Sequence, residues 1–168
     1  ALAAAAFYLM ALRLLKRARG EESRGAALLA ALLFAVHPLR VESVAWVTER
    51  GGLLAGLFGF LSVGLYLDGR RALSVAAFAL SLLSKPSALM LPAVLLVLDR
   101  WPLRARRPLL EKTPYFLLWL AAALVAGGGK PQRPLEDFGL LERAAQACYT
   151  LAFALAKTLL PTGLSPLY

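Results

Sequence analysis

Apolar and polar residues alternate along this chain in blocks rather than in single positions. Leu, Ala, Val and Phe dominate runs near 1–15, 26–36, 53–67, 72–84, 88–98 and 114–128. Short charged stretches such as "RLLKRARGEESRG", "DGRR" and "DRWPLRARRPLLEK" divide them. Within a run, apolar residues occupy every helical face instead of one stripe, the pattern of a helix surrounded by hydrocarbon. The fold expected is all-α, a polytopic transmembrane helical bundle filling residues 1–168 as a partial membrane domain. Several runs are shorter than the roughly 20 residues needed to cross ~30 Å of hydrocarbon. That leaves a soluble helical bundle as the competing reading, and the apolar outward positions weigh against it. The segment 140–160, "LLERAAQACYTLAFALAKTLL", differs from the rest. Glu142, Arg143, Gln146 and Lys157 interrupt it, while Leu141, Ala144, Ala145 and Cys148 keep helical spacing. It is expected to lie in the membrane interface or to enter the bilayer only in part.

Composition moves the picture the same way. The 168 residues are 60% hydrophobic and 17% charged, and mean hydropathy is +0.66. Soluble domains run nearer half apolar and a quarter charged. The formal net charge of +9 raises nucleic acid as a partner, but the basic residues sit in clusters between apolar runs, as in membrane loops. No nucleic-acid partner is expected. The single cysteine, Cys148, rules out an internal disulfide and a cysteine-based metal site. Its apolar helical setting marks it as a small packing residue. The opening "ALAAAAFYLM" has no polar leader, and its charges follow the apolar run, so it reads as a span entered midway and the chain as a fragment.

Charge asymmetry gives an expected orientation. Alternate loops carry twelve basic residues: Arg13, Lys16, Arg17, Arg19, Arg24, Arg70, Arg71, Arg100, Arg104, Arg106, Arg107 and Lys112. The intervening loops carry six: Arg40, Arg50, Lys85, Lys130, Arg133 and Arg143. By the positive-inside rule the first set is cytoplasmic. An integral membrane protein is expected, of the inner or plasma membrane in a bacterium, with the second set facing the non-cytoplasmic side.

The densest polar stretch, "AVHPLRVESVAWVTERGG", lies on that outer side with His37, Arg40, Glu42, Trp46, Glu49 and Arg50. "LSKPS", holding Lys85, and the loop before the last helix fall there too. Charges near a bilayer are costly and usually line a cavity or pair with each other. Each residue also has a plain structural reading. His37-Pro38 fits a helix end, Glu42 an ion pair with Arg40 or Arg50, Trp46 an interface anchor, and Lys85 a snorkelling side chain. Taken together on one face, they favour a polar cavity whose cations suit a phosphate, hence a lipid-linked donor. No phosphate loop, zinc spacing, nucleophile elbow or internal repeat is visible.

"HPLRVESVAWVTERGGLLAGLF", "LSLLSKPSALMLPAVLLVLDRWPL" and "LLPTGLSPLY" resemble, in order and spacing, the integral-membrane portion of the transmembrane-and-tetratricopeptide-repeat proteins. That family includes O-mannosyltransferases and is similar to the wider C-type membrane glycosyltransferases. The resemblance covers nearly the whole chain. It implies transfer of mannose or another hexose from a polyprenyl-phosphate donor to Ser or Thr of a protein acceptor. It places Lys85 near the donor phosphate, with Arg50 or Arg40 as helpers and His37, Glu42 and Glu49 shaping the cavity. A divalent cation is compatible with it but not required, and no metal ligands can be named. The family's catalytic acid precedes the region matched here, so it is expected upstream of Ala1. The family also has an acid shortly after the Arg of the outer motif, whereas here Gly51 and Gly52 follow Arg50. Two rivals stand beside the enzyme: a non-catalytic membrane anchor for a tetratricopeptide-repeat scaffold, and a transporter of lipid-linked sugar. The latter normally shows inverted repeats.

Overall fold

The apolar runs near 1–15, 26–36, 53–67, 72–84 and 114–128 each fold within one helix, and charge does not end them: the first helix continues through Lys16, Arg17 and Arg19 until the left-handed Gly20. The computed structural model describes residues 1–38, 50–104, 109–128 and 139–160. In chain order come α1 (Leu2–Arg19), α2 (Arg24–Val36), α3 (Arg50–Leu67), α4 (Arg71–Ser84), a 3-10 turn (Pro86–Met90) and α5 (Leu91–Arg100). A second 3-10 turn (Leu109–Lys112), α6 (Thr113–Gly128) and α7 (Leu140–Leu159) follow. The fold is all-α among the described residues. It divides into two units, Ala1–Ala126 and Gly127–Tyr168.

In the first unit, α3 and α4 form a tight antiparallel hairpin. Gly69, at φ 77°, makes the turn in a left-handed conformation that side chains disfavour. Three fully buried serines stitch the pair together. Ser62 Oγ donates to the Ser74 carbonyl at 2.8 Å, Ser74 Oγ to the Ser62 carbonyl at 2.6 Å, and Ser81 Oγ to the Ala55 carbonyl at 2.6 Å. Small hydroxyl residues of this kind let helix backbones approach closely in lipid, each hydrogen bond contributing about 0.6 kcal/mol on average. The rings of Phe7, Phe34 and Phe60 meet at centroid distances of 4.7 to 5.3 Å and tie α1, α2 and α3. Tyr66, Leu67, Phe78, Leu95 and Tyr115 form the centre of the core.

Two stretches are long and apolar enough to cross a membrane, Arg50–Leu67 with 18 residues and Leu109–Gly127 with 19. The first would extend ~27 Å at 1.5 Å per residue. Arg24–Val36 and Arg71–Ser84 are apolar but shorter. The fifth apolar run is divided between the 3-10 turn and α5, whose ten residues reach only ~15 Å.

The second unit contains α7, a 20-residue helix. Its first turn is closed by Glu142, whose carboxylate accepts the Gly139 N–H at 3.2 Å. On a 100° wheel Glu142, Arg143, Gln146, Thr150 and Lys157 fall on one stripe, opposite Leu141, Cys148, Leu151 and Leu155. The amphipathic character expected at its start therefore continues along its length.

Candidate functional site

Lys85 sits where the sequence breaks a helix. Proline disfavours α conformation in the residue before it, and Lys85 is extended, with φ −160° and ψ 135°, between the end of α4 and the 3-10 turn that Pro86 opens. The side chain is half-buried. Arg50, the first residue of α3, is exposed, and His37, ending α2, is half-buried with φ −58° and ψ 130°. The antiparallel pairing of α3 with α4 and of α1 with α2 brings these three helix ends to one end of the unit. Arg40, Glu42, Trp46 and Glu49 lie outside the described residues.

Gly51 gives the closest link between Arg50 and Lys85. A Cβ added there would stand 2.8 Å from the Ser84 carbonyl oxygen. Real Cβ atoms do not approach backbone oxygen so closely, so α3 can begin this near α4 only with glycine. No acidic side chain fits at position 51 in this packing. Gly52, one residue on, opens instead onto a cavity of about 430 Å³ that runs between α1, α3 and α5. Gly56, Gly59, Met10, Leu91 and Leu98 also line it, with Ala88 of the 3-10 turn following Lys85. The volume lies within the ~300–1,000 Å³ common for small-ligand sites. Two of its lining residues, Gly52 and Ala88, are close in sequence to Arg50 and Lys85.

The opposite end of the unit holds a constellation that the sequence did not single out. Asp99 Oδ2 accepts from the Tyr66 hydroxyl at 2.6 Å and pairs with Lys112 Nζ at 2.7 Å. The side chains of Lys112 and Asp99 are 2% and 7% exposed. Arg71 pairs with Glu111 and lies over the Tyr66 ring, 5.6 Å from its centroid. Tyr115 donates to Ser74 Oγ at 2.7 Å. The sequence reading counted Lys112 only among the basic residues of a charged loop, and the structure buries it against Asp99. Asp99 closes an otherwise apolar helix, which was the one local signal for it.

At the Lys85 end Arg50 and Lys85 supply positive charge. In the Ala1–Ala126 unit every described carboxylate, Glu21, Glu22, Asp68, Asp99 and Glu111, belongs to the other end. Among the described residues no group of three or more His, Cys, Asp or Glu is placed to hold a metal ion. The divalent cation that the resemblance allows thus has no donor set among them. Comparison with family models, curated proteins and solved structures returns no match to this chain.

Proposed function

We propose that this chain is part of an integral membrane glycosyltransferase that uses a polyprenyl-phosphate-linked sugar and glycosylates Ser or Thr of a protein. The observation supporting this reading is the apolar cavity whose lining includes Gly52 and Ala88, close in sequence to Arg50 and Lys85. Such a pair of features suits an amphiphile with an anionic head and a long chain. In the reaction, the acceptor hydroxyl attacks the anomeric carbon while the bond to the lipid phosphate breaks. Lys85 stabilises the charge that collects on the leaving phosphate, and Arg50 assists. The base lies outside the described residues.

The membrane reading rests on exposure as well as composition. Only 33% of the Arg50–Leu67 span and 11% of the Leu109–Gly127 span are buried within the protein. A soluble core helix of that hydropathy would bury most of its length. Leu28, Leu29, Leu32 and Leu33 of α2 are likewise each more than half exposed. We read α1 to α6 as a polytopic bundle with the Lys85 end on the non-cytoplasmic side, following the asymmetry of basic residues.

One observation favours the non-catalytic scaffold anchor instead. Gly52 stands where the resemblance leads one to expect an acid after Arg50. Transfer of sugar from a polyprenyl-phosphate donor to an acceptor peptide by the full-length protein separates the two readings. Lys85→Met is expected to lower transfer by about two to three orders of magnitude with unchanged expression, as for loss of one charge-stabilising donor. Lys85→Arg should recover only part of it. Wild-type transfer by Lys85→Met would remove the phosphate role, and no transfer by the wild-type protein with a range of lipid-linked sugars would favour the anchor.

A further inference from the structure

The ion pairs at the Asp99 end of the Ala1–Ala126 unit occupy its carboxylates and leave arginines over. Among the described residues that end carries ten basic side chains and five acidic ones. Arg13 takes Asp68 at 3.0 Å, Lys16 and Arg24 share Glu22, Arg71 takes Glu111, and Lys112 takes Asp99. Only Glu21 of the five lies outside these pairs. Arg17, Arg19, Arg70, Arg100 and Arg104 are exposed and enter none of them.

Packing holds this surplus at one level. Arg17 and Arg19 lie in the last turn of α1, Arg70 immediately precedes α4, and Arg100 ends α5. The Arg13–Asp68 pair joins the end of α1 to that of α3, and the Tyr66–Asp99 hydrogen bond joins the end of α3 to that of α5. Exposed apolar side chains accompany the arginines: Trp101 directly after α5, and Leu109 and Leu110 shortly before Lys112.

The mixture selects its partner. Guanidinium groups fork onto phosphate oxygens, whereas tryptophan settles at the boundary between water and hydrocarbon. A bilayer interface supplies phosphate and acyl carbon in one place. Nucleic acid supplies the phosphate but leaves Leu109 and Leu110 in water. Arg70 also follows closely on Leu67, the last residue of the 18-residue apolar stretch, so a bilayer around that helix brings its headgroups to this level.

We infer that this end of the unit is a binding surface for the headgroups of anionic phospholipids, gripped by Arg17, Arg19, Arg70 and Arg100. The inference rests on the membrane reading above and not on sugar transfer. Near an acidic membrane surface each basic residue strengthens attachment by about fivefold.

Equilibrium binding of fluorescent phosphatidylglycerol and phosphatidylcholine to the full-length protein in nonionic micelles tests it. Phosphatidylglycerol is expected to bind several-fold more tightly. Changing Arg17, Arg19, Arg70 and Arg100 together to Gln should remove the preference while the unfolding midpoint stays nearly unchanged. Salt at about 1 M, where the screening length falls to about 3 Å, should also remove it. Arg50→Gln with Lys85→Gln should leave it intact. Equal binding of the two lipids by the unaltered protein would overturn the inference, and so would a preference that survives the four arginine changes. Loss of the preference in the Arg50→Gln, Lys85→Gln protein alone would put the anionic group at the opposite end and overturn it as well. A short DNA duplex that binds more tightly than phosphatidylglycerol and displaces it would make nucleic acid the partner. Extraction of the protein from membranes by alkaline carbonate would remove the membrane reading and this inference with it, whereas inserted protein without the preference would overturn this inference alone. The preference in a protein that transfers no sugar would leave the inference standing and remove the transferase.

Discussion

The two ends of the Ala1–Ala126 unit treat charge in opposite ways. At one end Asp99 and Lys112 are almost wholly buried, and a tyrosine hydroxyl and an ion pair hold them in place. At the other, Arg50 is exposed and Lys85 half-buried. A buried ion pair gripped from three elements through Asp99 Oδ2, with Oδ1 left without a hydrogen-bond partner, spends its polarity on holding those elements together. The first end therefore reads as structure, whereas the proposed function gives the second a part in chemistry, although the residues are of the same types.

Breaking the buried pair should have the largest effect. Asp99→Ala leaves the Lys112 ammonium buried without its carboxylate, which costs about 3–5 kcal/mol. The unfolding midpoint in denaturant, followed in detergent micelles, should fall accordingly. The double change Asp99→Leu with Lys112→Met should regain most of the loss, because replacing a buried pair by packed apolar groups is often neutral. Full stability of the single Asp99→Ala variant would contradict the structural role of this end.

A smaller effect is expected where the comparison turns on backbone approach. Gly51→Ala sets a methyl group against the Ser84 carbonyl and must push α3 from α4, at about 1–3 kcal/mol. Because the contact joins Arg50 to Lys85, sugar transfer should decline as well as stability. Transfer unchanged in a destabilised Gly51→Ala protein would show that the spacing of these two helix ends is not critical to the reaction.

The least effect belongs to an exposed pair at the first end. Lys16 donates to Glu22 at 2.6 Å, and that hydrogen bond, with the charge of Lys16, holds the Glu22 carboxyl below its ordinary value of 4.5. A lowered folded-state value means that the pair favours folding above the ordinary carboxylate value and loses this as pH falls through the lower one. Solvent screening makes the contribution slight. Glu22→Gln should leave both the unfolding midpoint and its pH dependence nearly unchanged. A marked loss of stability would mean that burial is not what separates strong from weak pairs in this protein.

Local rules made much of the fold readable from the chain. Apolar runs became helices, "DG" became the turn between α3 and α4, and "KP" broke the chain at Lys85, because each effect acts over only a few residues. The isolation of Lys85, with no charged residue for ten positions on either side, also marked it directly. Chain order and the alternation of helix directions then accounted for His37, Arg50 and Lys85 reaching one end.

What the sequence by itself determined was the helical class, the positions of the runs and the residues that interrupt them. The tertiary structure alone decided which polar groups meet. Tyr66 and Asp99 are 33 positions apart and Ser74 and Tyr115 are 41 apart, and no spacing rule links residues carried by different helices. It also gave Gly51 a reason that the sequence did not show, since only packing reveals a carbonyl where its Cβ would stand.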